Sequence, residues 1–319
     1  MTAPIDERVS LVIPCHALHR WPLLVEAVES AKSQTPRPAE IVVTVDNNDI
    51  LYERAKRELD GVTVLANRFA RGVSGNRNTG IFHTTTPIVA LLDDDARARP
   101  GWLAALLEPF ADPSVIGTGG TAVVRWERSR PVWFPDELLW TVGGTFVGLS
   151  TIPVATRNVW SLGMAVRRDA FESVGGFQVE FTKLGNRSRP EDTDLCVRMS
   201  LANGGQWIYV PDAVVEHLVP RDRATVRYLL SRCYLEGRGK VSMLRRHRGT
   251  VDMSPEWSYV RRTLPRAIVR GIGQTLRGGG LGGTARAASV LCGLAAAALG
   301  GAVEVVRTDR ALRRPVRAE

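Results

Sequence analysis

The chain has 319 residues, 44% of them hydrophobic, and a formal net charge of +9. That much apolar sequence can bury a substantial core in one large domain or two, which excludes a chain too polar to fold. The charge is uneven: residues 1–220 hold 22 Lys and Arg against 26 Asp and Glu, a balance of −4, whereas residues 221–319 hold 20 against 7, a balance of +13. A basic C-terminal third on an acidic body implies an anionic partner, either a nucleic acid or an anionic membrane surface.

Val9 to Ile13 is a β-rich run followed by Pro14, and residues 21 to 32 carry apolar side chains at helical spacing. Ile41 to Val45 reads as a second strand ending in Asp46-Asn47-Asn48-Asp49, Ile50 to Leu59 as a helix, and Val62 to Leu65 as a third strand. Gly75 to His83 opens a helix leading into the apolar run Ile88 to Leu92. Such strand–helix alternation predicts βαβ units and a parallel sheet with right-handed crossovers, an α/β fold. After a helix over Trp102 to Phe110, Ile116-Gly-Thr-Gly-Gly-Thr-Ala122 matches G-x-G-x-x-A. A dinucleotide loop needs a helix after it, and Val123-Val124 continues as strand, so this is read as a glycine-rich strand with close backbone packing. Residues 126–157, rich in Trp, Pro and Gly, form a long irregular region. Ser161 to Val166 is a strand, 168–174 a short helix before Gly175-Gly176, and 178–190 a mobile loop containing Lys183, Gly185, Asn186, Arg187 and Arg189. Pro190-Glu191-Asp192 opens a helix to about Ala202, and 207–210 and 213–217 are two short strands.

Asp93, Asp94 and Asp95 follow the buried-type strand at 88–92 and so lie at a strand carboxyl end, where open α/β sheets bind ligands. Three adjacent carboxylates repel one another. A hard divalent cation bringing substrate phosphates offsets that, whereas a solvated acidic turn is the plain alternative.

Several short motifs recur in one order. They are Val12-Ile13-Pro14, Asp46 after the second strand, Ser74-Gly75-Asn76-Arg77-Asn78-Thr79-Gly80, Leu92 to Asp95, Gly175-Gly176-Phe177, Glu191-Asp192-Thr193-Asp194-Leu195, and His217. Over residues 8–220 this order resembles the family 2 glycosyltransferases, inverting enzymes of the GT-A fold that use nucleotide sugars. The resemblance implies a nucleotide-sugar site of Pro14, His16, Asp46, Arg77, Asn78, Asp93 and Asp94. It implies a metal, Mn²⁺ or Mg²⁺, at Asp95 and His217. It also implies Asp192 as the base that deprotonates the acceptor hydroxyl, with Glu191 beside it. The position next to Asp46, often a second Asp in the family, is Asn47 here. For Asp192 and Glu191 the alternative role is to complement the helix dipole, and for Asp46 it is an N-cap or Asx-turn.

The expected architecture is a GT-A catalytic domain over 1–220 and a basic helical region over 221–319. Residues 227–248 mix apolar residues with Arg, as an interfacial helix requires, and 287–303 are free of charge but heavy in Ala and Gly. That composition favours a peripheral or re-entrant helix over a span. Cys15, Cys196, Cys233 and Cys292 lie far apart with no zinc spacing, as reduced thiols do, and no apolar leader precedes the first strand. These features place the chain in the cytoplasm, peripheral on the inner membrane face. The partners expected are a nucleoside-diphosphate sugar, a glycan or lipid-linked acceptor and an anionic membrane surface, rather than nucleic acid. Competing readings are a sugar nucleotidyltransferase, a nucleic-acid-binding protein and an inactive scaffold. The first needs a phosphate loop after the first strand, and Pro14-Cys15-His16-Ala17 is not one.

Overall fold

The structure, a computed structural model, describes residues 9–182, 189–247 and 251–312. Lys183, Gly185, Asn186 and Arg187 of the expected loop, and Arg248 at the end of the expected helix, lie outside the described residues. The chain divides into two compact units. One holds the described residues of Met1–Arg125, Ser150–Asn186 and Glu191–Leu218, and the other those of Trp126–Leu149, Arg187–Pro190 and Val219–Glu319.

The first unit opens with β1 (Val9–Cys15), α1 (Trp21–Lys32), β2 (Glu40–Val45), α2 (Asp49–Glu58), β3 (Thr63–Ala66), α3 (Val73–Ile81) and β4 (Ile88–Leu92). These strands lie side by side in the order β3-β2-β1-β4, all parallel. Every residue of β1 and β4 is buried, because helices cover both faces of a parallel sheet. Side chains alternate across it: Leu11 and Ile13 pack with Leu24, Val28 and Trp102 on one face. On the other, Val12 and Leu91 pack with Ile81, Met164, Phe171 and Leu195. Pro14 lies inside β1 opposite Thr44, beyond the last pair with β4, Val12 with Leu91, so its missing N–H costs no bond on that side.

Beyond β4 follow β5 (Ala96–Ala98), α4 (Trp102–Leu107), β6 (Val115–Trp126), β7 (Val154–Thr156), β8 (Gly163–Arg167), α5 (Arg168–Ser173), α6 (Glu191–Asn203) and β9 (Gln206–Val219). Here the pairs are antiparallel: β8 with β4, β6 with β8, and β5 and β7 with β9. Gly117 and Gly120 explain the glycine-rich β6. A Cβ at Gly117 would lie 2.2 Å from the Trp207 ring, and one at Gly120 1.8 Å from the Ala213 carbonyl oxygen. The two short strands expected at 207–210 and 213–217 are one continuous strand, β9. Pro211 reads as a breaker, yet it falls between the residues paired with β7 (Trp207 to Tyr209) and those paired with β5 (Val215 to His217). It therefore removes no donor from either ladder. Strand β7 lies in the stretch expected to be irregular, and the three-residue β5 has no sequence signal of its own. Its register sets Ala96 opposite His217.

The second unit is helical: α7 (Val226–Arg246), α8 (Ser254–Ser258), α9 (Leu264–Leu276) and α10 (Gly282–Leu312). The charge-free residues 287–303 form the middle of α10. A Cβ at Gly237 of α7 would lie 1.9 Å from Ala297 O, and one at Gly300 of α10 2.0 Å from Tyr234 O. The two helices thus cross at backbone contact, which only small residues allow. Within the irregular Trp-rich stretch, Trp140 donates to Tyr259 Oη at 3.1 Å, and that hydroxyl donates to Glu137 O at 2.6 Å. The buried Glu137 carboxylate also pairs with Arg270.

Candidate active site

Helix α3 is the unusual element of the first unit, because Ser74 to Ile81 are all buried. Glycines let it sink: a Cβ at Gly75 would meet Ala70 O at 2.2 Å, and one at Gly80 would meet Val12 at 2.3 Å. Its amides fasten it. Asn76 Nδ2 donates to Cys15 O and Thr44 O at 3.0 Å each, tying the helix to the ends of β1 and β2. Asn78 Nδ2 donates to Phe177 O at 2.8 Å, and Phe177 N donates back to Asn78 Oδ1 at 2.9 Å. Asn78 is therefore a buried clamp on the Gly175-Gly176 turn, and these contacts occupy the amide that the family resemblance assigned to nucleotide binding.

Between these two anchored residues lies Arg77. Its guanidinium, 4% exposed, lies 2.8 Å from Asp93 Oδ1, 3.6 Å from Asp192 Oδ1 and 3.8 Å from Glu191 Oε1. Burial works against its charge, but Asp93, Asp192 and Glu191 more than offset that and hold it above the ordinary arginine value. Its Nε and Nη1 make no hydrogen bond among the described residues. Glu191 and Asp192 lie more than a hundred positions beyond Arg77 in the chain, a separation that no local pattern spans. The fold alone brings α3 to the first turn of α6.

Asp192 also accepts a hydrogen bond from Ser161 Oγ at 2.6 Å. Burial raises its pKa above the ordinary carboxylate value, while Arg77 and Ser161 pull it back down. Asp194, in the same first turn, serves the scaffold instead. It pairs with Arg198 at 2.8 Å, and Arg198 donates to Val174 O and Gly176 O. Sequence reasoning read Ser161 only as the start of a strand. Its closeness to Asp192 carries no signal in the sequence.

A second cluster surrounds the other two aspartates. Arg20, at the N-terminus of α1, places Nη1 2.9 Å from Asp94 Oδ1 and 3.0 Å from Asp95 Oδ2. His217 Nε2 lies 3.4 Å from Asp95 Oδ1, as the pairing of β5 with β9 dictates. Burial, with Asp95 adding to it, pushes Asp94 up to about 7 despite Arg20. The sequence reading did not single out Arg20. At the end of β2, Asp46 accepts from Asn47 Nδ2 at 2.8 Å, Asn67 Nδ2 at 2.7 Å and Gly72 N at 3.0 Å. Asn48, not Asp46, caps α2 by accepting from Leu51 N at 3.0 Å. His16, just after β1, is exposed, and its carbonyl accepts from Asn48 Nδ2.

The family model for glycosyl transferase family 2 matches residues 10–175. The chain belongs to that family. It is 30% identical over 238 residues to the glucosyl-dolichyl phosphate glucuronosyltransferase of Haloferax volcanii, covering 73% of this chain and 76% of that protein. Among solved structures it is similar to the mannosyltransferase PcManGT of Pyrobaculum calidifontis in complex with GDP-Man and Mn²⁺, with a TM-score of 0.54, 20% identity, and coverage of 97% and 82%. It is also similar to GalNAc-T7 with UDP, GalNAc and Mn²⁺, with a TM-score of 0.52, 19% identity and 73% coverage, and spans 50% of that longer chain. This family 2 glycosyltransferase thus has the GT-A fold.

The donor set suits a divalent cation. His217 Nδ1 and Asp94 Oδ2 make no hydrogen bond among the described residues, and Asp95 and His217 offer a carboxylate and an imidazole side by side. Among the described residues no group of three His, Cys, Asp or Glu forms a preformed cage. A two-ligand edge of this kind fits Mn²⁺ or Mg²⁺ that completes its shell with substrate phosphate oxygens and water.

Proposed function

We propose that this glycosyltransferase moves a sugar from a nucleoside-diphosphate sugar to a hydroxyl of a glycan or lipid-linked acceptor, with inversion at the anomeric carbon. The convergence of Asp93, Glu191 and Asp192 on Arg77 supports this reading most directly. Asp192 takes the acceptor proton as the hydroxyl oxygen attacks the anomeric carbon, and the bond to the diphosphate breaks with its electron pair leaving on the diphosphate. Its raised pKa keeps it a competent base, and Ser161 fixes its direction. Asp95 and His217 would hold a Mn²⁺ or Mg²⁺, which when bound offsets the charge of the departing diphosphate. Asp93 or Asp94 would meet the ribose, while Asp46, Pro14 and His16 would line the base. The relative named for a dolichyl phosphate substrate and the structural neighbour solved with GDP-Man and Mn²⁺ support the donor, metal and acceptor classes.

Incubating the protein with UDP-, GDP- and dTDP-sugars, with Mn²⁺ or EDTA, tests the donor class. Metal-dependent release of one nucleoside diphosphate is the expected result. Release from none of them, or unchanged release in EDTA, contradicts the reading.

The second unit would bring the enzyme to an anionic membrane surface. Helix α9 buries Leu264, Ala267 and Gly271 but leaves Val269 70% and Leu276 82% exposed, beside Arg262, Arg266 and Arg277. The 26-residue stretch Gly282–Arg307 is long and apolar enough to cross a membrane, and little of its apolar part is buried. An apolar arc flanked by Arg is what an interfacial helix needs, and each nearby Arg adds about 1 kcal/mol on anionic lipid. The protein should co-sediment with phosphatidylglycerol vesicles and not with phosphatidylcholine vesicles. Changing Val269, Ile272 and Leu276 together to Ser should weaken that binding at least about tenfold. Equal sedimentation of this variant would refute the assignment of the surface.

A further inference from the structure

Arg20 stands beside the place that the proposed chemistry gives to a metal. One nitrogen, Nη1, bridges Asp94 Oδ1 at 2.9 Å and Asp95 Oδ2 at 3.0 Å, and the opposite oxygen of Asp95 faces His217. The Arg20 side chain is 19% exposed, so solvent reaches part of it. A divalent cation on Asp95 and His217 would share the Asp95 carboxylate with that nitrogen, and two cations so close repel.

We propose that Arg20 is a built-in counter-cation, which holds Asp94 and Asp95 together and gives way to a divalent cation bound on the same carboxylate. This rests on the reading of Asp95 and His217 as metal ligands. The need for such a residue follows from the sequence: three consecutive carboxylates at a strand end repel one another, and Asp94 and Asp95 are both buried. Arg77 answers Asp93, and Arg20 answers the other two. Arg20 is a positioning residue: it sets the resting geometry of the aspartates and makes metal entry an exchange of one cation for another.

Mn²⁺ titration of the nucleotide-free protein, followed by electron paramagnetic resonance, tests this apart from activity. Arg20→Met should tighten Mn²⁺ binding on the order of tenfold, the scale of a lost charge-assisted hydrogen bond, while Arg20→Lys stays near the wild-type value. Unchanged or weaker binding in a folded Arg20→Met protein overturns the proposal. Should Arg20→Met not fold, phenylglyoxal labelling of the wild-type protein decides: Mn²⁺ alone should speed modification of Arg20, and no change or a slowing overturns it. Asp95→Asn separates the two layers. Mn²⁺ binding that survives this change refutes the metal site itself, whereas binding that is lost with it but indifferent to Arg20→Met refutes only the exchange.

Discussion

Asp192→Asn should lower kcat by about 10²–10⁴-fold, the usual worth of a positioned general base, and leave nucleoside diphosphate binding nearly unchanged. The amide keeps the size of the carboxylate and cannot take the acceptor proton. A kinetic comparison beside a nucleotide titration checks this, and a variant within a few fold of wild type would remove Asp192 from the base role. The pH dependence adds a second readout. A base must be ionised, so activity falls as pH drops through its pKa, and burial raises that pKa above the ordinary carboxylate range. Ser161 lowers it through a 2.6 Å hydrogen bond, so Ser161→Ala should move the acid limb of the rate profile to higher pH. A shift to lower pH would contradict the assignment.

Arg77→Leu should cost about 3–5 kcal/mol of stability, because breaking a buried ion pair leaves uncompensated charge behind. The guanidinium is 4% exposed and faces Asp93, Asp192 and Glu191. Without it those carboxylates lose their shared counter-charge, and Asp192 loses the neighbour that most lowers its pKa. Urea denaturation of the folded variant measures the loss. Arg77→Lys should retain part of the stability, since an ammonium keeps the charge but lacks the planar fork. A loss below about 1 kcal/mol in Arg77→Leu would mean that the cluster is screened as a surface one is.

Much of the first unit was legible in the chain itself. The apolar runs at 9–13, 41–45 and 88–92 became parallel strands because a doubly covered sheet buries such continuous apolar sequence on both faces. The glycines of β6 likewise announced close packing, and Trp207 and Ala213 supply the groups that leave no room for a Cβ. The gap expected between 207–210 and 213–217 is absent, because Pro211 stands between the residues paired with β7 and those paired with β5. Asn78 shows a different limit: its motif pointed to nucleotide, and its amide is tied to the Phe177 backbone.

By itself the sequence determined the parallel strands β1 to β4 and that carboxylates gather at the ends of β2 and β4, because apolar periodicity and turn residues act over a few positions. Only the tertiary structure decided which partner answers which carboxylate. Arg20 meets Asp94 and Asp95, Ser161 meets Asp192, and Arg77 meets Glu191 across separations in sequence that no local rule spans. Those pairings follow from burial: once helices and strands exclude water from the sheet's carboxyl edge, each buried charge must find its opposite there.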